Sequence, residues 1–247
     1  MSVLNFQDSN IPASQHSSIP AFPYSSLRYI SVLLLLVAIA SGCSGLQVRE
    51  PTLGKEVRAR MDLSKSHLRN GQPRQGLQEL LRIQDRAKHI PEYHFLMGLT
   101  RMQLKNQKSA AEHFRKAVEL EPGYGEAWNN LGQVLVSLDR LEKAEEAFNR
   151  ALDIPTYLTP EYPAYNLARL EIKRGRSDLA LKYAALSLEE NNRYSPAYSL
   201  LAELWLEKGN IQKAIQWLQK GIDNNPNRIE LMLPLAENSL RMGRTRD

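Results

Sequence analysis

Beyond about residue 55 the apolar positions recur three and four residues apart, which is the spacing of one face of an α-helix, and β-branched runs are missing. That pattern predicts helices and no strands. The blocks also align with one another every 34 residues, so one helix-turn-helix unit is written several times over. The fullest copy runs from Ala127 to Pro155, with Trp128, Leu131, Gly132, Leu135, Ala144, Phe148 and Ala151 as its key positions. One unit earlier stand His94, Met97, Gly98, Ala110, Phe114, Ala117 and Pro122. Later copies carry Ala164, Leu167, Ala168, Gly175, Ala180 and Ala184, then Tyr198, Leu201, Ala202, Gly209, Ala214 and Leu218. A weaker first copy keeps Leu63, Ser64, Gly71, Gly76 and Leu80 in register, and a last one, Ile229 to Met242, matches a first helix only.

Small residues at Gly132, Ala144 and Ala151 let two antiparallel helix backbones approach, while Trp128, Leu131, Leu135 and Phe148 fill the space between them. Pro155 stops the second helix. These residues at these offsets resemble the tetratricopeptide repeat. The resemblance implies an all-α solenoid of about five full repeats, near 57–90, 91–124, 125–160, 161–194 and 195–228, with a closing helix in 229–247. Such repeats pack only on their neighbours and curve into a right-handed superhelix with a concave face. Pro234 falls inside the closing helix and is expected to kink or shorten it. Between Asp153 and Ala164 the spacing widens to 36 residues, and Pro155, Pro160 and Pro163 crowd into it. That joint is expected to be extended, because a residue preceding proline is barred from helical angles. A tolerated insertion, a bend and a docking edge all stay open as readings of it.

Ahead of the repeats lies an uncharged run, Ile30 to Ala40, preceded by Arg28 and followed by Ser41, Gly42 and Cys43, the sole cysteine in the chain. Basic residue, apolar stretch and small residues form a secretory signal. Ala40-Ser41-Gly42-Cys43 resembles the lipobox of bacterial lipoproteins, which implies cleavage after residue 42 and diacylglycerol and N-acyl lipid on Cys43. Residues 43–56 then read as a flexible linker. An uncleaved anchor over Tyr29 to Val48 is the alternative, being about the ~20 residues that span a bilayer, but Ser-Gly-Cys-Ser-Gly is a poor end for a membrane helix. Ser44 is not the aspartate that resembles an inner-membrane retention signal, so the outer membrane, facing the periplasm, is the expected address.

Charge then narrows the partners. The net charge is +5, and removal of residues 1–42 takes away Asp8 and Arg28 together and leaves it unchanged. Nucleic-acid binding needs a concentrated basic face, and the tight cluster here is Arg241, Arg244 and Arg246, which reads as a solvated helix end or a contact for anionic headgroups. No nucleic-acid partner is expected.

Chemistry adds little. His16, His67, His89, His94 and His113 show no HExxH-type spacing, and no second cysteine exists to build a zinc site. GxSxG, Walker and dinucleotide glycine patterns are missing, and Gly123-Tyr124-Gly125 joins two hairpins. Neither enzyme, metal, cofactor nor small-molecule substrate is expected, so the function reads as binding. The first-helix residues left free by packing are expected to line the groove: Phe95, Leu99 and Met102; Asn129, Gln133 and Val136; Tyr165, Arg169 and Ile172; then Ser199, Glu203 and Leu206. Apolar residues on such a face mark a partner site, unless Phe95 and Leu99 pack against residues 44–55 or the first repeat. Repeat proteins that clamp a chaperone's terminal carboxylate use cationic and asparagine side chains on successive first helices. Asn130 and Asn166 match the asparagines, but Phe95, Leu99 and Leu200 stand where polar or cationic groups are required, so that clamp is missing.

A lipobox followed by these repeats, together with the interrupted stretch Ala151-Leu-Asp-Ile-Pro-Thr-Tyr-Leu-Thr-Pro-Glu-Tyr-Pro-Ala-Tyr-Asn-Leu-Ala168, resembles the type IV pilus biogenesis lipoproteins of the PilW, PilF and Tgl kind. The likeness spans roughly Leu63 to Asn225 and the anchor. It implies a pilotin, an outer-membrane protein that helps a pilus secretin subunit reach that membrane and form its ring. An envelope adaptor for cell-wall enzymes, exopolysaccharide export or barrel assembly is the competing expectation.

Overall fold

The computed structural model describes residues 54–244. Cys43, the predicted signal and the alternative anchor lie outside them. Twelve helices and no strand occur among the described residues: α1 Lys55–Arg69, α2 Pro73–Leu81, α3 Gln84–Ala87, α4 Pro91–Gln103, α5 Gln107–Leu120, α6 Gly125–Ser137, α7 Leu141–Leu152, α8 Glu161–Lys173, α9 Ser177–Glu190, α10 Ser195–Glu207, α11 Ile211–Asn224 and α12 Ile229–Arg244. Since α1 opens at Lys55, the last two residues of the expected linker are helical. No helix among the described residues is long and apolar enough to cross a membrane.

Each first helix packs on its own second helix, α4 on α5, α6 on α7, α8 on α9 and α10 on α11, and each second helix packs on the next first helix. Close approach needs the small residues. A methyl added at Gly98 would lie 2.6 Å from the Phe114 ring, and one at Gly132 would run into Phe148. Both rings are fully buried. Sequence and packing agree here because an aromatic knob requires a side-chain-free socket on the facing helix.

Turns inside the hairpins follow one rule as well. Gly71, Lys105, Asp139, Gly175 and Gly209 all hold positive φ, between 57° and 73°, and they recur with the repeat. Helices commonly end on such a left-handed residue, which glycine adopts without strain. Asn106 and Asn210 then cap the following helices, accepting from the Ser109 and Lys213 amides at 3.2 and 2.9 Å.

Three regions depart from expectation. The joint is not extended: Tyr157 N–H donates to the Ile154 carbonyl at 3.1 Å in a turn, and α8 begins at Glu161 with Tyr162 and Pro163 in its first turn. Proline is tolerated there because first-turn amides have no helical acceptor to lose. The joint then folds back, and the Tyr157 ring seats against Gly125, where a methyl would meet it at 2.5 Å. In the first repeat the second helix breaks at Leu81 and resumes as the single turn α3. Finally, α12 continues through Pro234 to Arg244, so proline does not shorten it.

Candidate partner-binding groove

Two cavities lie along the first helices. One, of about 440 Å³, opens between α1 and α4 and is lined by Leu68, Phe95, Leu96, Leu99 and Tyr124, with Lys65, Arg69, Glu92 and Gln103 around them. Lys65 and Glu92 form an ion pair across its edge. The other, of about 500 Å³, opens between α6 and α8 and is lined by Gln133, Val136, Tyr162, Tyr165, Asn166, Arg169, Lys173 and Tyr194, among others.

The twelve positions read from sequence thus separate, and Ser199 and Glu203 line neither cavity. Gln133, Val136, Tyr165 and Arg169 come together in the larger cavity, and Phe95 and Leu99 line the smaller one. Phe95 is committed to packing, with its ring 5.9 Å from Phe114 and 4.9 Å from Tyr124. Leu99 rests partly on the core of the first repeat, among Val57, Met61 and Leu68. Met102, Ile172 and Leu206 pack half-buried on the core and line neither cavity. Asn129 is a correction, because it is buried and its Oδ1 accepts from the Asn166 Nδ2 at 2.9 Å instead of facing solvent. Asn130 donates to the Glu126 carbonyl of its own helix at 2.7 Å. Both clamp-like asparagines are therefore engaged within the protein.

Three tyrosines shape the larger cavity. Tyr194, from the loop before α10, meets Tyr162 and Tyr165 edge-on at 5.3 and 5.4 Å. Burial raises the Tyr165 phenol and carries that of Tyr194 up to about 12, so both stay protonated and able to donate at neutral pH. Arg169 is exposed, its guanidinium 6.0 Å from the Tyr165 centroid, and among the described residues no carboxylate pairs with it. Lys173 alongside is held by Asp139 at 2.7 Å. An unpaired guanidinium near the Tyr165 ring can take a carboxylate or a carbonyl from a bound chain while the tyrosine rings accept an apolar side chain. Tyr162 and Tyr194 escaped the sequence reading because the first turn of α8 was expected to be extended and Tyr194 sits in a loop, outside the helical face used to predict the groove.

Behind the cavity α8 is fixed by charge. Glu171 is fully buried and accepts from Arg174 at 2.7 Å, and Arg174 also reaches Glu145 of α7 at 2.6 Å. Arg176 adds a longer contact to Glu171 at 3.4 Å.

One pairing is absent from the sequence reading altogether. His94 of α4 and His113 of α5 bring their Nδ1 atoms to 3.1 Å. His94 Nε2 lies 3.0 Å from the Lys88 carbonyl, which can only accept, so that nitrogen carries the proton and His94 Nδ1 accepts from His113. Burial lowers both rings, His113 to about 4, with the opposing histidine and Arg101 adding to it. The pair is neutral at pH 7 and joins the two helices. Among the described residues no group of three or more His, Cys, Asp or Glu is placed to hold a metal.

Comparison with known proteins agrees with this architecture. The tetratricopeptide repeat profile matches residues 61–125 and 98–159, and a second profile of the same description matches 171–235. An uncharacterized protein of Methanocaldococcus jannaschii, MJ0572, is 38% identical over 68 residues, 28% of this chain and 79% of that protein. Superkiller protein 3 of Schizosaccharomyces pombe is 28% identical over 146 residues, 56% of this chain but a tenth of that protein's length. Among solved structures, PilW, a widely conserved type IV pilus biogenesis factor, superposes with a TM-score of 0.66 at 23% identity over 76% of this chain and 87% of its own. Pseudomonas aeruginosa PilF gives 0.64 at 18% identity, over 76% and 90%. At such identities the likeness is one of fold. With profiles covering most of residues 61–235, and hairpins, sockets and left-handed turns in the same register, this chain belongs to the tetratricopeptide repeat family.

Proposed function

We propose that this protein-interaction module works as a pilotin: acylated Cys43 tethers it to the outer membrane facing the periplasm, and the cavity between α6 and α8 captures a segment of a type IV pilus secretin subunit. The observation that carries the reading is the tyrosine-framed cavity with unpaired Arg169, a site built for a peptide chain and not for chemistry. The fold likeness to two pilus biogenesis proteins and the lipobox-like segment ahead of the repeats support it. Attachment then serves the mechanism, because a membrane-bound groove delivers what it binds to that membrane.

A photo-crosslinking residue in place of Tyr165 tests this in living cells. Recovery of the secretin supports the proposal; recovery of peptidoglycan enzymes or an export porin with no secretin overturns it in favour of an envelope adaptor. Assembly of outer-membrane secretin rings in a deletion strain would also overturn it. For the anchor, Cys43→Ala is expected to release or misplace a folded protein, and its persistence in the outer-membrane fraction would count against lipidation.

A further inference from the structure

On the reading that the cavity between α6 and α8 is the capture site, we infer that the captured segment is an extended chain that changes sign along its length. An acidic residue lies over α8, and a basic residue about three positions away lies over α10. The register of the repeats places the charges. One groove position recurs on successive first helices, and it holds Leu99 on α4, Gln133 on α6, Arg169 on α8 and Glu203 on α10. Its chemistry therefore passes from apolar to amide to cation to anion.

Both charges are exposed, and among the described residues neither forms an ion pair with the other or with a third group. Each nonetheless acts on Tyr165. Burial raises that phenol most, while Arg169 lowers it and Glu203 raises it. Glu203 stands just past the cavity, and Tyr194, from the loop entering α10, carries the cavity's edge towards that helix. The change of sign repeats one turn on. Lys173 of α8 is held by Asp139, whereas Glu207 of α10 is exposed and makes no ion pair. Glu161, the carboxylate that acts on Tyr194, is buried and accepts from Asn191 at 2.9 Å, so it does not compete for the segment.

Opposite charges left apart at equivalent positions disfavour a ligand of one sign. A nucleic acid or an anionic membrane would bring phosphates to Glu203 and Glu207 as well as to Arg169. A protein segment can place one residue of each sign. Helices packed side by side lie about 10 Å apart, and an extended chain advances about 3.3 Å per residue. Residues about three apart therefore face neighbouring first helices, while a helical segment would need residues about seven apart to cover the same distance. The rings of Tyr162, Tyr165 and Tyr194 take an apolar side chain beside the acidic residue.

Fluorescein-labelled dodecapeptide pools test this by fluorescence anisotropy with the full chain. One pool fixes Asp three positions before Lys, a second fixes Lys three positions before Asp, a third carries Asn and Gln in their place, and a fourth sets the charges seven apart. The remaining positions are drawn from Leu, Pro, Ser and Gly. The groove fixes one chain direction, so one of the first two pools is expected to bind about fivefold tighter than the other three. Sodium chloride at about 0.5 M should remove the difference. Exchanging the charges in the protein, Arg169→Glu with Glu203→Arg, should hand the preference to the opposite order. Arg169→Gln and Glu203→Gln should each reduce it to about twofold, and Lys143→Glu on the outer helix α7 should leave it unchanged. Equal binding of the two orders, or an exchange that leaves the preferred order as it was, would overturn the inference. So would a Lys143→Glu effect as large as that of Arg169→Gln, or a preference for charges seven apart. The pilotin reading is separable: a charge-order preference with no secretin crosslinked at Tyr165 removes the secretin and keeps the segment's chemistry, and secretin crosslinked there without the preference does the reverse.

Discussion

Between α1 and α4, Phe95 and Leu99 turn their cavity into an extension of the core, whereas between α6 and α8 the corresponding repeat positions carry Tyr165 and Arg169 and leave theirs polar, aromatic and open. A third position, occupied by Met102, Val136, Ile172 and Leu206, is apolar in every repeat and packs on the core throughout. Repeat positions that keep one chemistry along the solenoid support the fold. Those that change chemistry from hairpin to hairpin are where a partner can be read.

That contrast can be broken by substitution. Phe114→Ala, which empties the socket at Gly98 and removes the support of Phe95, is expected to cost about 4 kcal/mol in urea unfolding. Arg174→Met comes next, at about 3 kcal/mol, because it leaves Glu171 buried with only the longer contact to Arg176. Phe95→Ala should cost about 2 kcal/mol as a half-buried aromatic contact is lost. Arg169→Glu should change stability by less than about 0.5 kcal/mol, being exposed and unpaired, yet abolish partner crosslinking. If Phe95→Ala instead left stability intact and abolished crosslinking, the functional roles of the two cavities would be exchanged.

The smallest effect concerns the histidine pair beside the packed cavity. Folding holds His113 near 4 against 6.5 for a free ring, so the folded state binds fewer protons there. Its contribution to stability is present above 6.5 and is lost as pH falls from 6.5 towards 4. His113→Phe should flatten the pH dependence of the thermal midpoint within that window, and an unchanged slope would show that the pair does not carry it.

Much of this architecture is legible in the residues alone. Sockets at Gly98 and Gly132, knobs at Phe114 and Phe148, and turns at Gly71, Gly175 and Gly209 are local demands of one hairpin, and a hairpin repeated in sequence repeats its demands. Lys105 and Asp139 were harder to see, since they hold the glycine conformation without being glycine. The proline-rich joint misled for a related reason. Proline forbids a helix interior but suits a first turn, and which of the two it occupies depends on where α8 starts.

The candidate site was legible only in part. Tyr165, Arg169 and Gln133 follow from helical period, because they lie on the face that packing leaves free. Tyr162 comes from the first turn of α8, where an extended joint was expected, and Tyr194 from a loop, where no period exists to predict direction. Burial of Asn129 depended on the single amide of Asn166 reaching across two hairpins.

Short-range periodicity was enough to establish an all-α repeat protein, its hairpins and its apolar core positions, because those depend on contacts within one unit and its neighbour. Tertiary structure alone decided that Phe95 is core while Tyr165 is open, and that His94 and His113 share a proton. Each of these turns on which side chain arrives from another helix, and a sequence pattern records spacing along the chain but not arrivals across it.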